Sequence, residues 1–434
     1  MRFSHVGLKA IVPALSIIYL SAARAESSGD PVLDLMIKEA LESRPEVAKD
    51  AATVKAEKEH VPLIGALPDP VLSLGLQNDG FNHYSVGKME TSWYTIMATQ
   101  TFLWPGKQRL LKESARAQAD LADAALQRTR LSVEAEVRRS YVDLQLVRDR
   151  AKLLSKQRSL WQKSEKIAAA RYAVGEAPQS DLLRAQLEMI RLRQQALSLE
   201  ATERTSTQSL NRLRHHPLGE SVSEVPSLEH LPDPQLPSAD ITLDPIESRS
   251  PELRASKLSL GQAGSRLQLA QAERFPDFSI GAGVMPRGRL EPMWLVSLGI
   301  PLPVFAATKQ DKAVSEAVLR RTAVEQGELA VAQLLRLRTE QRRSLLDVLH
   351  RTNVLYRDAL LVQSEATATS TLAQYEVGKV PFASVLDALG GFLSDQASYL
   401  ESIAQAQRVF IAQIELSLEE PTRAPGPPPS SSGM

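Results

Sequence analysis

The chain of 434 residues contains no cysteine, which excludes a disulfide framework and a thiolate metal site and leaves no thiol to carry a lipid. It carries no excess charge of either sign, since 51 Lys and Arg balance 51 Asp and Glu. Nothing in the net charge therefore points to nucleic acid or to an acidic surface. Beyond the N-terminal segment there is no apolar run long enough for a helix to cross a bilayer, so any span in the mature chain must be built of strands. From Lys107 to Val174 there are 68 consecutive residues without glycine or proline, dense in Ala, Leu, Gln, Glu, Lys and Arg. That composition predicts one helix about 100 Å long.

What the chain does have is written twice. Arg171-Tyr172-Ala173-Val174-Gly175, followed by Pro178 and Leu182-Leu183, returns 203 residues later as Gln374-Tyr375-Glu376-Val377-Gly378, followed by Pro381 and Val385-Leu386. Glu136 to Asp143 returns as Glu340 to Asp347 at an offset of 204, and Pro68-Asp69 as Pro276-Asp277 at an offset of 208. A repeat of this length is a duplicated half-structure, not a short solenoid unit. The second copy has no proline between Pro303 and Pro381, and Gly327 is its one weak point as a long helix. Each long helix is expected to end at Val-Gly and restart near the next proline, with return helices over Gln179 to Arg214 and Phe382 to Glu419. Ala115, Ala117, Ala119, Ala122, Ala124 and Ala125 would let neighbouring helices approach closely.

Ahead of each long helix the texture changes. Val71 to Gln77 alternates Leu72, Leu74 and Leu76 with Ser73, Gly75 and Gln77, and Ser92 to Phe102, Asp277 to Met285 and Met293 to Leu302 are similar. These read as four strands in two hairpins, with a polar loop over Asn78 to Thr91 and a shorter one around Pro286-Arg287-Gly288. At the N-terminus, Met1, Arg2 and Lys9 flank the apolar Ala10 to Leu20, and Ala23-Arg24-Ala25 supplies a cleavage pattern. A secretory signal peptide over residues 1–25 is predicted; a membrane anchor would need an apolar run of roughly 20 residues. The division expected is signal peptide 1–25, first repeat 26–214, proline-rich linker 215–240, second repeat 241–420 and a disordered tail 421–434.

Other signals stay weak. His215-His216 lie in a loop with no third ligand at helical spacing, and Gly281-Ala282-Gly283 has no βα unit after it, so no metal or cofactor is expected. Arg336, Arg338, Arg342 and Arg343 lack interleaved aromatics and read as a solvated face or pore lining. No nucleophile, base and acid set stands out, and no enzyme is expected.

Four strands cannot close a barrel, because lipid tolerates no open edge and bacterial barrels start at about eight strands. Several chains must then contribute, each sending long helices away from the membrane, and a barrel continued by a helical tube is a conduit. The duplication, the Tyr-x-Val-Gly turns, the Pro-Asp pairs and Leu-Trp-Pro-Gly-Lys-Gln-Arg at 103–109 together resemble the TolC-type outer membrane efflux proteins over about residues 31–420.

That resemblance implies a homotrimer with an α-helical barrel in the periplasm and a 12-stranded β-barrel in outer membrane lipid. It implies a periplasmic adaptor (membrane fusion) protein as partner and an inner-membrane pump, of the resistance-nodulation-division type if the Gly-Lys-x-Arg entry marks the heavy-metal branch. It also makes Val174, Gly175, Val377 and Gly378 the adaptor-docking turns. Asp181 and Tyr375 become a lock on the closed tip, with Arg184 and Asp387 free to pair nearby, and Ser384 stands where the family carries a second pore aspartate. The bland alternative for these charges is a solvated helix end, where an exposed pair contributes under about 1 kcal/mol. Competing readings of the whole chain are a periplasmic coiled-coil adaptor or scaffold, with one helical hairpin and soluble β domains, and a secreted structural coiled coil.

Overall fold

The computed structural model describes residues 30–222, 225–231, 234 and 249–419. The predicted signal peptide, the predicted tail and most of the later linker lie outside these residues. In chain order the elements are α1 (Pro31–Ser43), α2 (Pro45–Ile64), β1 (Val71–Gln77), β2 (Trp93–Phe102), α3 (Lys107–Ala173), α4 (Gln179–Leu213), α5 (Pro251–Ala272), β3 (Phe278–Arg287), β4 (Leu290–Gly299), α6 (Gln310–Leu355), α7 (Leu361–Glu376) and α8 (Phe382–Glu415). The 67 residues of α3 give a rod of about 100 Å, because no glycine or proline interrupts its hydrogen-bond ladder. Both copies run helix, hairpin, long helix, return helix.

The second rod is not continuous. Gly327 lies inside unbroken α6, and the interruption is a π-helical segment at Tyr356–Leu360. A single glycine costs only about 1 kcal/mol in a long helix, which the rest of the ladder absorbs. The π turn admits an extra residue, and there Tyr356 packs against Tyr399 of α8, ring centroids 5.8 Å apart.

The four strands form one antiparallel sheet in the order β1-β2-β3-β4, so the second hairpin is bonded to the first and both outer edges are unpaired among the described residues. The last strand runs Leu290–Gly299, starting earlier than the apolar pattern suggested, because a two-residue turn at Gly288 with positive φ closes the hairpin. Register places Leu74 opposite Ile96, Ile96 opposite Val284, and Val284 opposite Trp294. One face therefore carries the exposed Leu72, Leu74, Ile96, Ile280, Val296 and Leu298, with Ala98, Ala282 and the half-buried Gln100 among them. Ser73, Gly75, Thr95, Thr99, Gly281 and Ser297 share the other face with Val71, Met97 and Leu295. Such a sheet is apolar on the side that small soluble proteins would bury.

The core is a seam, not a ball. Near the sheet-proximal half of the rods, α1, α2 and α4 pack on α3 through Met36, Ala40, Val54, Val137, Leu144 and Leu210. Ala115, Ala119 and Ala124 are buried where α3 meets its neighbours, whereas Ala125 is exposed. The described part of the linker lies along α3: Val222 and Val225 join the seam, and the buried Asp149 carboxylate accepts from Ser227 Oγ at 2.9 Å and Leu228 N at 2.7 Å. His216 sits 3.1 Å from Glu220 and 3.6 Å from Glu39.

Within the basic stretch of α6, Arg336 is exposed and Arg338 and Arg343 are half-buried, but Arg342 is not on a solvated face. Arg342 is 0% exposed; its Nη2 donates to the Ser417 and Glu419 carbonyls, and Arg338 Nε donates to the Leu418 carbonyl at 3.1 Å. These guanidinium groups bind carbonyls of the segment that follows α8, just past Leu416 with its left-handed φ of 53°. Burial pushes the Arg342 guanidinium down to about 10, against the pull of Glu415.

Candidate functional site at the coil tip

Both rods end in the same capping geometry. At the first tip Gly175 N–H donates to the Tyr172 carbonyl at 3.0 Å and Glu176 N–H to Arg171 at 2.9 Å; at the second, Gly378 donates to Tyr375 at 3.0 Å and Lys379 to Gln374 at 2.9 Å. This is the Schellman pattern, which needs a residue with positive φ. Gly175 has φ 77° and Gly378 φ 75°, a conformation that glycine adopts without Cβ strain. Pro178 and Pro381, with φ preset near −72° and −73°, then start α4 and α8. The turns leave Val174 and Val377 70% and 67% exposed at the extreme end of the molecule.

Just behind the turns the packing closes. Trp161, Ala168, Ala185, Leu372, Tyr375, Phe382, Val385 and Leu389 from all four helices form one cluster. Inside it Tyr375, 1% exposed, donates its hydroxyl to Asp181 Oδ2 at 3.1 Å, and Asp181 itself is only 9% exposed. The two residues lie on different copies, and this bond joins the start of α4 to the end of α7. Burial, then the Asp181 charge and hydrogen bond, push the Tyr375 hydroxyl up to about 12. The Tyr375 ring packs against Phe382 with centroids 5.2 Å apart.

Of the remaining sequence-predicted positions, Arg184 and Asp387 are exposed and Ser384 is half-buried. Arg184 and Asp387 form no ion pair with each other among the described residues.

Arg171 is a tip residue that sequence reasoning passed over. Its Nη1 donates to the Tyr375 carbonyl at 2.6 Å, its Nη2 to the Glu176 carbonyl at 3.2 Å, and its guanidinium lies 4.8 Å from the Tyr375 ring centre. One side chain thus ties the first turn to the second. The available signal was the departure from repetition: Arg171 stands where the other copy has Gln374.

What this arrangement can do chemically is mechanical. Among the described residues no group of three or more His, Asp or Glu side chains is placed to hold a metal ion, and no helix is long and apolar enough to cross a membrane.

Residues 36–214 match the family model described as outer membrane efflux protein. The chain is 21% identical over 310 residues to the cobalt-zinc-cadmium resistance protein CzcC of Cupriavidus metallidurans, a match covering 69% of this chain and 71% of CzcC. Its fold is that of the outer membrane protein VceC of Vibrio cholerae, with a TM-score of 0.76 at 17% identity over 90% of this chain and 96% of that one. It is likewise that of CusC, with a TM-score of 0.72 at 18% identity over 89% and 92% of the two chains. The duplicated rods, the four-stranded sheet with an exposed apolar face and these likenesses agree: residues 36–214 carry the outer membrane efflux protein model, and the chain as a whole has the fold of solved outer membrane channels.

Proposed function

We propose that three copies of this chain form a gated exit duct, each giving four strands to a 12-stranded barrel and its long helices to a periplasmic tube. The observation that carries this reading is the sheet. Its exposed apolar face suits hydrocarbon, its opposite face is richer in small and polar residues although Val71, Met97 and Leu295 also lie there, and its two unpaired edges call for further strands. The ten residues of β2, β3 and β4 are of transmembrane length at a barrel tilt. Tyr94 and Trp294 toward one end and Phe102, Phe278, Trp104 and Phe275 toward the other supply aromatic bands for the two interfaces.

In this reading the coil tip is the periplasmic gate. The Asp181 to Tyr375 bond, backed by Arg171, holds neighbouring helices together, and opening requires that it break. Exposed Val174 and Val377, on turns shaped by Gly175 and Gly378, are the surface offered to a periplasmic adaptor. Arg184, Ser384 and Asp387 lie beside the lock on the tip helices. Energy comes from an inner-membrane pump of the resistance-nodulation-division type, and the cargo is a metal cation or another small molecule, with the likeness to CzcC favouring the metal.

The test is to extract the mature protein from membranes in mild detergent and image it by electron microscopy. A three-fold tube well over 100 Å long, as α3 alone demands, is the expected result. A monomer, or a short particle, overturns the duct.

A further inference from the structure

The two copies meet at a built junction beneath the sheet. Lys107, the first residue of α3 and almost wholly buried, donates Nζ to the Phe275 carbonyl at 2.7 Å and to Asp277 Oδ1 at 2.9 Å. The same Asp277 oxygen accepts from Trp104 N at 2.8 Å, and the Trp104 ring stacks on Phe275 with centroids 5.1 Å apart. The segment leaving β2 is thereby pinned to the segment entering β3.

The duplication supplies this junction a second time, but with its halves apart. Leu67-Pro68-Asp69 enters β1 as Phe275-Pro276-Asp277 enters β3, and Phe305 with Lys309 follows β4 as Trp104 with Lys107 follows β2. In one chain these halves lie at opposite edges of the sheet, three strand spacings or about 14 Å apart. Asp69 and Lys309 are both exposed and neither makes an ion pair among the described residues. Leu67 and Phe305 are exposed large apolar side chains beside them.

We infer that Lys309 of one chain binds Asp69 of a second copy, with Phe305 seated on Leu67, so that the seam between chains repeats the seam inside each chain. The inference rests on the trimer proposed above and deepens it by naming the contact that sets which edge meets which. The lower rods agree. Return helix α8 packs on α3 within the chain through Leu400, Ile403 and Val142, whereas its counterpart α4 leaves Leu183, Leu187, Ile190 and Leu197 exposed along one stripe. A second copy's long helix covers that stripe if the inner seam is repeated.

The absence of cysteine allows a clean test. Asp69→Cys and Lys309→Cys placed together in the full chain, treated in the outer membrane with a short bis-maleimide, will yield covalent dimers and trimers on a denaturing gel. Either cysteine alone will leave monomers, and Lys107→Cys with Asp277→Cys will link only within a chain. Asp69→Lys or Lys309→Asp will lower the temperature at which the detergent-extracted trimer dissociates, and the double reversal will restore it. A stable wild-type trimer that gives no cross-link and no change with either reversal overturns this contact alone. A wild-type chain that is monomeric overturns the trimer and the contact together.

Discussion

Tyr375 and Asp181 hold each other in surroundings that would otherwise penalise both, since a buried carboxyl oxygen and a buried hydroxyl each need a hydrogen-bond partner. Tyr375→Phe removes the bond and leaves the carboxylate unpaired, which costs the closed tip about 1–3 kcal/mol. The open population should then rise about tenfold for each 1.4 kcal/mol, read as single-channel conductance in planar bilayers and as antibiotic entry in cells. Unchanged conductance removes the lock. Because the Tyr375 hydroxyl is raised from 10 to about 12 in the folded tip, its contribution is fully present below pH 10 and lost as the pH climbs through 12. Conductance of the native channel should therefore increase between pH 10 and 12, and Tyr375→Phe should lack that component. Arg342 offers a stability test away from the gate. Arg342→Ala strands the Ser417 and Glu419 carbonyls and should lower stability by roughly 2–3 kcal/mol, measured by thermal melting in detergent. The pairing of Asp181 with Tyr375 was implied by the resemblance to the TolC-type proteins, carried onto the positions beside the Val-Gly turns. The place of Arg171 could not, because the repeat at that position carries no charge and only packing brings its guanidinium over the Tyr375 ring.

At the level of elements, the two tip glycines look equivalent in sequence and differ in surroundings. A Cβ at Gly175 would meet nothing, whereas one at Gly378 would come within 2.9 Å of Arg171 Nη2. Both Gly→Ala changes carry the strain of positive φ, about 1 kcal/mol, so Gly175→Ala should be mild. Gly378→Ala should also displace Arg171 and weaken the closed tip further, which side-by-side conductance of the two variants would register; equal effects would count against a role for Arg171. The rods themselves were readable from the absence of glycine and proline, and the hairpins from period-two apolar residues, because both signals are local. The π segment at Tyr356–Leu360 was not readable, since no glycine or proline marks it and its Tyr356 meets Tyr399 on another helix. The burial of Arg342 was missed for the same reason: a run of four arginines says nothing about the helix end lying beside it.

For the whole molecule, the proposed metal cargo is tested genetically. Deleting the gene should sensitise cells to at least one of cobalt, zinc, cadmium, copper and nickel, scored as growth inhibition and rescued by the gene in trans; unchanged tolerance to all five in a strain without a paralogue removes the metal branch. By itself the sequence determined the elements and their doubling: helix length from uninterrupted ladders, strand character from alternation, and reversal points from glycine and proline, all properties of residues near one another in the chain. It also determined that four strands cannot close, which is a matter of counting. Tertiary structure alone decided that the two hairpins join as one sheet through β2 and β3, that Lys107 reaches Asp277 across 170 residues, and that Arg171 and Asp181 converge on Tyr375. Those contacts depend on which faces of the rods meet, and that is set by burial of the apolar seam as a whole, which no local pattern encodes.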